Sequence, residues 1–436
     1  MGEIQPDRYR ARYAQRTQGM IASEIRALFA VASRPEVVFL AGGMPYTAGL
    51  DFDAVSQVTE SVIRDVGATA LQYGGGQGLP ELRERLVDVM AAEAIPAHAD
   101  DLVVTSGGQQ GLDLVAKLFC DPGDVILAEG PSYVGALGAF SAYQTAVVHV
   151  PMDEQGLIPD ALEQTLGWLR DSGRTAKFLY TVPNHQNPAG VSLSTARRER
   201  LLELAGHFDL LVVEDNPYGL LDFKGEIRPA LKSLDSERVV YVGTLSKVFA
   251  PGIRIGWVAA EGPVRDKLVL LKEAADLCHS NFTQYVAQRW LADQPWFEQV
   301  CQSREVYRER CGALLDALAS EMPGDCSWSE PTGGFFVWAR LPEGLDAREL
   351  LARAIRARVA YVPGQAFYAD GGGGDHLRLS FGFSSPERIR EGVRRLAEVV
   401  RTEMELVRAL RVRTPGTARR PTPSGSAPGT HPGTAQ

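Results

Sequence analysis

From Asp101 onward, short β-branched apolar runs alternate with helical stretches, and this alternation restricts the possible folds more than any other feature of the chain. Continuous apolar strands separated by helices predict an α/β fold, with a mostly parallel mixed sheet covered by helices on both faces. The predicted strands span residues 102–105, 125–128, 147–150, 178–182, 210–213 and 239–242, and helices such as 111–119 and 195–207 lie between most of them. In such sheets, ligands bind at the carboxyl ends of the strands.

The pattern changes after a long helical stretch over residues 264–291, and the remainder predicts a smaller α+β domain. Its predicted elements are a helix at 296–320, strands near 335–340 and 376–381, and helices near Asp346 and Pro386. We expect a large domain over residues 51–292 and a small domain over 293–412. Residues 413–436 are rich in Pro, Gly, Thr and Ser, which predicts a disordered tail because such a composition cannot bury a core.

The N-terminal region, residues 1–50, is expected to form a helix and an arm that joins the small domain. Helical spacing of the apolar residues predicts that this helix runs from Tyr9 to Ala32 and ends before Pro35. A loop containing Ala41-Gly42-Gly43-Met44-Pro45 follows.

Composition excludes several classes of function. The formal net charge of -9 argues against a nucleic-acid or anionic-membrane surface, which would need a clustered basic face. No run of eighteen apolar residues exists, and the polar start is not that of a signal peptide. Five cysteines without C-x-x-C spacing and seven histidines without a ligand pattern predict reduced thiols, no metal site and a cytoplasmic location.

Lys247 has the surroundings of a reactive lysine. It follows the apolar run 239–242 in Gly-Thr-Leu-Ser-Lys, and Arg254 comes seven positions later. Desolvation favours the neutral amine that can form a Schiff base, while a guanidinium suits a phosphate, and pyridoxal phosphate needs both features. The alternative is a solvated loop lysine, the more common fate of a lysine after a strand.

Two further strand ends carry features that suit a phosphorylated ring. Gly107-Gly108-Gln109 joins a strand to a helix, where bare N–H groups at the positive helix end stabilise a phosphate. Tyr133 follows the next strand and can stack on a flat heteroaromatic ring. A tight turn and a packing tyrosine are the respective alternatives.

Asp215 closes the apolar run 210–214, with Tyr218 three positions later. A buried aspartate needs a cation or several donors, and a pyridinium N–H would be such a partner. Asn187, in Gln-Asn-Pro-Ala-Gly after another strand, can donate to a ring hydroxyl. An N-cap before Pro217 and a simple turn are the structural alternatives for these two sites.

Arg378 lies in the alternating strand His-Leu-Arg-Leu-Ser of the second predicted domain. A bidentate guanidinium suits the carboxylate of an amino acid, and the alternative is an exposed strand arginine.

With these motifs in this order, residues 10–410 resemble the fold type I pyridoxal phosphate aminotransferases of class I/II, most closely the 2-aminoadipate/kynurenine subgroup. The resemblance implies a homodimer with active sites at the subunit interface. It implies that Lys247 bonds the cofactor as a Schiff base, that Asp215 pairs with the pyridine nitrogen, and that Tyr218 and Asn187 contact the ring oxygen. The implied phosphate contacts are Gly108, Gln109, Thr244, Ser246 and Arg254, with Tyr73 arriving from the partner subunit.

Substrate contacts are implied in the same way. Arg378 would bind the α-carboxylate and Asn187 would also contact the substrate. Gly42 would line the substrate site, and Arg26, in Ser-Glu-Ile-Arg, is similar to an arginine that binds a distal carboxylate in the subgroup. A solvated position on the polar face of the helix is the alternative for Arg26. The chain departs from the family at Gly74-Gly75-Gly76-Gln77 and at Met44 and Tyr46, near the expected substrate entrance.

The resemblance implies ping-pong transamination between an L-amino acid, such as 2-aminoadipate, glutamate or an aromatic or aliphatic donor, and a 2-oxo acid, with 2-oxoglutarate as the expected acceptor. Lys247 is the expected general base, since it is held beside the substrate Cα. A lyase, racemase or oxidase on the same fold is the alternative. A ligand-sensing domain behind a DNA-binding module is disfavoured, because no helix-turn-helix pattern precedes Gly42.

Overall fold

An eight-stranded sheet forms the centre of the protein, whose computed structural model describes residues 7–17, 28 and 34–412. The described residues form fourteen strands, of which eight belong to this sheet. They are β1 (Val38–Phe39), β2 (Leu102–Ser106), β3 (Val125–Gly130), β4 (Ala146–Asp153), β5 (Gly156–Leu157), β6 (Ala176–Thr181), β7 (Leu211–Asp215), β8 (Val239–Thr244), β9 (Ile255–Ala259), β10 (Ser327–Trp328), β11 (Phe336–Arg340), β12 (Val359–Ala360), β13 (Val362–Pro363) and β14 (His376–Ser380). The central sheet has the order β2-β9-β8-β7-β6-β3-β4-β5.

The direction of the central strands confirms the predicted mostly parallel mixed sheet. Strands β4, β3, β6, β7 and β8 pair in parallel, whereas β9 runs antiparallel between β2 and β8, and β5 is antiparallel at the far edge. All six strands predicted for the parallel part of the chain are present in this sheet. Strand β9 is not predicted from the sequence, because this short run is interrupted by Gly256 and directly follows the Arg254 motif.

Helices cover both faces of this sheet. The helices of the described residues are α1 (Phe52–Ala70), α2 (Pro80–Ala91), α3 (Gly108–Phe119), α4 (Val134–Ala142), α5 (Pro159–Asp171), α6 (Thr195–His207), α7 (Leu231–Leu234), α8 (Gly262–Asp276), α9 (Asn281–Asp293), α10 (Trp296–Glu321), α11 (Ala347–Arg356) and α12 (Pro386–Val412), of which α11 and α12 contact the smaller sheets. Because side chains alternate across a strand, Val125 and Leu127 pack with α5 and α6, while Ile126 and Ala128 join the larger core on the other face. This two-sided burial explains why the strands are apolar throughout.

Two smaller sheets lie outside the central one. Strands β10, β11, β14 and β13 form an antiparallel sheet in that order, and β1 pairs in parallel with β12. The pairing of Val38 with Val359 joins the chain before residue 50 to its C-terminal part. The assignment of these strands to sheets separate from the central one supports domain boundaries at residues 51 and 293, which stay a proposal.

Two predicted helices differ from the structure. Where residues 9–17 were expected to begin a helix, the chain forms two short 3-10 turns, Arg10–Arg12 and Gln15–Thr17. Of the rest of that predicted helix, only the buried, helical Leu28 lies among the described residues. The stretch 264–291 is two helices, because Leu277 adopts a left-handed φ of 65° and the side chain of Ser280 caps α9. The tail over residues 413–436 lies outside the described residues.

All five cysteines fall within the described ranges and are unpaired. None of the helices in those ranges has the length and apolar character needed to cross a membrane.

Candidate active site

A cavity of about 390 Å³ lies where β6, β7 and β8 end and α3 begins. Most of the residues selected from the sequence line it: Gly108, Gln109, Tyr133, Asn187, Asp215, Tyr218, Thr244, Ser246, Lys247, Arg254 and Arg378. Most of them belong to segments that follow different strands, and the parallel sheet brings those segments to one edge.

Three of the selected residues do not line the cavity. Tyr73 is 78% exposed on the surface of its own chain. Gly42 is buried beside the lining residue Gly43, and Arg26 lies outside the described residues. Their expected contacts with ligands therefore stay predictions.

Lys247 follows β8 and is partly buried, with its Nζ inside the protein. This nitrogen donates to the carbonyl oxygen of Gly43 over 2.7 Å and lies 5.4 Å from the ring centre of Phe335. Burial, and then the positive charges of Arg378 and Arg254, lower the pKa of Lys247 to about 8. The structure thus disfavours the solvated-loop interpretation, because it supplies the desolvation that a reactive amine needs.

Asp215 ends β7 and is 6% exposed. Its Oδ2 accepts a hydrogen bond of 2.7 Å from the hydroxyl of Tyr180, a residue of β6. Burial raises the pKa of Asp215 to about 7; the Tyr180 hydrogen bond opposes this rise and the charge of Glu129 adds to it. The carboxylate is therefore costly to ionise alone, and a cation in the cavity would stabilise it. Its side chain forms no N-cap, contrary to the structural alternative.

The turn before α3 forms a cradle with Arg254. Gly107 has a φ of 77°, and a Cβ added there would lie 2.6 Å from Nη2 of Arg254. That Nη2 donates to the carbonyl oxygen of Ser106 over 2.9 Å, while Arg254 itself adopts a left-handed φ of 59°. Bare backbone N–H groups at the start of α3 and a guanidinium thus meet at one point, as an anion site requires.

Two hydroxyl groups complete that corner. Thr244 Oγ1 donates to Ser246 Oγ over 2.9 Å and accepts the backbone N–H of Ser246 over 3.1 Å. This local network fixes both side chains on the lining of the cavity, beside the charges of Lys247 and Arg254.

Arg378 lies on β14, in the four-stranded sheet, and is 1% exposed, which rules out the exposed-arginine alternative. Its Nη1 donates to Asn187 Oδ1 over 2.7 Å and its Nη2 donates to the carbonyl oxygen of Ala41 over 2.6 Å, while the buried Nε has no hydrogen-bond partner among the described residues. Phe336 lies 4.1 Å from the guanidinium. Burial lowers the pKa of Arg378 to about 10, so this cation, which no carboxylate of the described residues neutralises, retains its charge at neutral pH.

Tyr133 and Tyr218 contribute aromatic walls. Tyr133 is the residue before α4, and its hydroxyl donates to Gln109 Oε1 over 3.4 Å. Tyr218 is buried and packs edge-on against Phe335, and burial raises the pKa of both hydroxyls. Both groups are therefore neutral donors at physiological pH.

Sequence reasoning missed several residues that organise this site. Tyr180 lies in an apolar strand run, where a tyrosine reads as packing, and its position two residues before the end of the predicted strand was the available signal. Glu129, the fifth residue of β3, accepts bonds from Thr181 Oγ1 and from the side chain of Gln186, and so fixes the segment that leads to Asn187. The carbonyl of Gly43 had no sequence signal.

Comparisons with known proteins identify the class to which this arrangement belongs. The family model "Aminotransferase class I and II" matches residues 36–396. An aromatic-amino-acid aminotransferase of Thermococcus litoralis is 42% identical over 91% of this chain and 96% of its own length. The chain belongs to the class I and II aminotransferase family.

Solved structures agree with the family. The kynurenine aminotransferase of Pyrococcus horikoshii, in complex with PMP, superposes with a TM-score of 0.86 at 38% identity, covering 90% of this chain and 97% of that one. The α-aminoadipate aminotransferase of Thermus thermophilus, complexed with N-(5'-phosphopyridoxyl)-L-leucine, gives a TM-score of 0.84 at 35% identity, covering 91% and 99%. The expected fold type I architecture, its resemblance to the aminoadipate/kynurenine subgroup and a pyridoxal phosphate-dependent aminotransferase activity are confirmed.

Proposed function

We propose that the protein moves the amino group of an L-amino acid to a 2-oxo acid, with 2-oxoglutarate as acceptor, in a ping-pong order. The observation that carries this proposal is the convergence of Lys247, Asp215 and Arg378 on one cavity. Transfer of an amino group at the Cα of an amino acid requires an amine, an acid and a carboxylate-binding cation in one cavity.

The residues present fit pyridoxal 5'-phosphate. The start of α3 with Gly108 and Gln109, the hydroxyls of Thr244 and Ser246, and Arg254 would hold the phosphate. Asp215 would face the ring nitrogen, Tyr133 would stack on the ring, and Tyr218 and Asn187 would contact its oxygen. When bound, the cofactor supplies an aldehyde that bonds to amines and a protonated ring that accepts the electron pair left by a broken Cα bond.

Lys247 performs the proton transfer in this proposal. Because the pKa of Lys247 is lowered to about 8, about a tenth of the amine is neutral at pH 7, far more than for an ordinary lysine, and this form can accept the proton of the substrate Cα. Its contact with the Gly43 carbonyl holds Nζ within the cavity, so the base does not have to be drawn from solvent.

Arg378 orients the substrate. Its buried Nε has no partner in the part of the chain that the structure describes, and its two Nη groups are held by oxygen atoms that a carboxylate can replace. A carboxylate bound there would fix the direction of the Cα–H bond relative to Lys247.

The lining supports donors with aromatic or long side chains. Apart from the charged residues assigned above, Met44, Pro45, Val134 and Phe336 present apolar surface to the cavity. Among the described lining residues, the cations are Lys247, Arg254 and Arg378, all of which already have a role. A donor with a distal carboxylate, such as 2-aminoadipate or glutamate, would therefore depend on Arg26, and Gly42 would border the same space.

A homodimer is part of the proposal. Segments 69–76 and 273–281 touch, since Asn281 Nδ2 donates to the Thr69 carbonyl over 3.1 Å. Together they expose Leu71, Tyr73 and Leu277, an apolar surface suited to burial against another subunit. Tyr73 would reach the phosphate of the partner subunit from this surface. The cytoplasmic location expected from the cysteines stays a prediction.

A panel of amino acids assayed with 2-oxoglutarate tests the proposal. Aromatic donors should lead, acidic donors should follow, and Arg26→Gln should reduce turnover of acidic donors alone. Stoichiometric pyridoxamine phosphate after adding one donor without acceptor is expected for transamination, whereas a lyase, racemase or oxidase would not accumulate it. Equal loss of all donors in Arg26→Gln would contradict the assigned role of that residue.

A further inference from the structure

A buried hydrogen bond joins Asp215 to a residue that has no part in the roles above. The Tyr180 hydroxyl donates to Asp215 Oδ2 over 2.7 Å, and Tyr180 is fully buried. The two residues belong to adjacent parallel strands, with Tyr180 level with Val213. Side chains two positions apart on a strand share a face, so the register places this hydroxyl beside Asp215.

The ring of Tyr180 is itself fixed. It packs edge-on against Phe140 of α4 with ring centres 5.4 Å apart, and Phe140 packs in the same way on Phe178. A ring held on that side presents its hydroxyl in one direction, because it cannot turn without opening the core.

We propose that Tyr180 is a positioning residue, whose hydroxyl holds Oδ2 of Asp215, favours the anionic form of the carboxylate and leaves Oδ1 to face the ring nitrogen of the cofactor. Among the described residues, Oδ1 accepts no hydrogen bond, so it is available to a ring N–H. The inference rests on the proposed role of Asp215 and extends it to a second residue.

The charges around Asp215 explain why this hydroxyl is needed. The titratable groups that face it are Glu129 at the end of β3, Tyr133 before α4, Tyr218 after β7 and Tyr241 on β8. Glu129 raises the pKa of Asp215, whereas the hydrogen bond from Tyr180 lowers it. No lysine or arginine of the described chain forms an ion pair with Asp215, so Tyr180 is the group that favours its anion before a cation arrives.

Titration of the apoprotein with pyridoxal 5'-phosphate, followed by protein fluorescence, tests the inference in a double-mutant cycle. Tyr180→Phe should weaken binding about tenfold, because a hydrogen bond to a buried charge is lost. Asp215→Asn should weaken it more. In the double variant, Tyr180→Phe should add nothing to Asp215→Asn, since it acts through the carboxylate.

A matched control separates positioning from packing. Tyr361 is also fully buried, and its hydroxyl donates to the Ala347 carbonyl over 2.6 Å, away from the cavity. Tyr361→Phe removes the same atom and should leave the affinity for pyridoxal 5'-phosphate unchanged, even if both variants lose similar thermal stability.

The pH dependence of binding supplies a readout that packing would not move. Affinity should fall as Asp215 is protonated, and Tyr180→Phe should shift this acid limb upward by about one pH unit. Replacing Tyr180 by 3-fluorotyrosine, a more acidic donor, should shift it downward, and this variant keeps the test open if Tyr180→Phe fails to fold. The inference would be overturned if the acid limb of the pH profile of affinity did not move in either variant. It would also be overturned if the losses of affinity in Tyr180→Phe and Asp215→Asn added up in the double variant. Unchanged affinity in Asp215→Asn would instead defeat the proposed role of Asp215.

Discussion

The cavity has two walls that are built differently. The strand-end wall consists of Gly108, Asp215, Thr244, Ser246, Lys247 and Arg254, all of which follow or end strands of the central sheet or begin α3. The loop wall consists of Gly43, Met44, Pro45, Phe336 and Arg378, which come from the segment after β1 and from the four-stranded sheet.

Different interactions hold the two walls. Apart from Lys247, which bonds to the Gly43 carbonyl of the loop wall, groups on the strand-end wall are fixed by short local bonds, as between Thr244 and Ser246, or by bonds between adjacent strands, as between Tyr180 and Asp215. The loop wall is tied by bonds between distant segments, such as Arg378 to the Ala41 carbonyl. This difference suggests that the strand-end wall determines the reaction and the loop wall determines which amino acid enters.

Removal of the amine from the strand-end wall should have the largest effect. Lys247→Ala should lower turnover about 10⁴-fold or more, because both the covalent anchor and the general base are lost. The visible absorbance band of the lysine-bound cofactor should disappear. Lys117→Ala, at an exposed position of α3, serves as the control, and normal amino-group exchange by Lys247→Ala would refute the assignment.

Arg378→Gln should affect the substrate far more than the cofactor. We expect kcat/KM to fall about 10²- to 10³-fold, because two charge-assisted hydrogen bonds to the α-carboxylate are lost. Binding of pyridoxal 5'-phosphate should change little. Arg340→Gln, on the adjacent strand β11 and exposed, should be neutral in both assays. If Arg378→Gln lowered the affinity for pyridoxal 5'-phosphate as much as it lowers kcat/KM, the proposed division of roles between the two walls would be wrong.

The rate at which the apoprotein captures pyridoxal 5'-phosphate should depend on pH. Only the neutral amine attacks the aldehyde, and the pKa of Lys247 is lowered to about 8, so the rate should rise about fiftyfold from pH 6 to 8 and level off above pH 9. Arg378→Gln removes a positive neighbour, so it should raise that pKa and move the plateau to higher pH. Stopped-flow absorbance measures both profiles, and a rate still rising at pH 10 would contradict the lowered pKa.

The smallest effect is expected for the apolar part of the loop wall. Met44→Ala should change the ratio of kcat/KM between phenylalanine and alanine by about three- to tenfold, since only a few methylene contacts are lost. Met404→Ala, in α12 and away from the cavity, is the comparison variant. If kcat/KM changed equally for phenylalanine and alanine, Met44 would contribute to the stability of the site and not to the choice of donor.

Sequence reasoning predicted the strand-end wall more completely than the loop wall, for a physical reason. Parallel strands place their carboxyl ends at one edge, so motifs such as Ser246-Lys247 could be grouped without knowing the contacts. The Gly43 carbonyl could not be found, because a backbone acceptor leaves no mark in a sequence. The break at Leu277 was also missed, since no glycine signals the left-handed residue there.

Strand β9 runs against its two neighbours, and this reversal determines how Lys247 and Arg254 meet. Its neighbours β2 and β8 bring their last residues to the functional edge, whereas β9 brings its first. One connection of ten residues, 245–254, therefore leaves β8 carrying the amine and enters β9 carrying the guanidinium. The separation between Lys247 and Arg254, the proposed cofactor anchor and phosphate contact, thus depends on the length of a single loop, and an insertion or deletion of one residue within it should change how the two groups face each other.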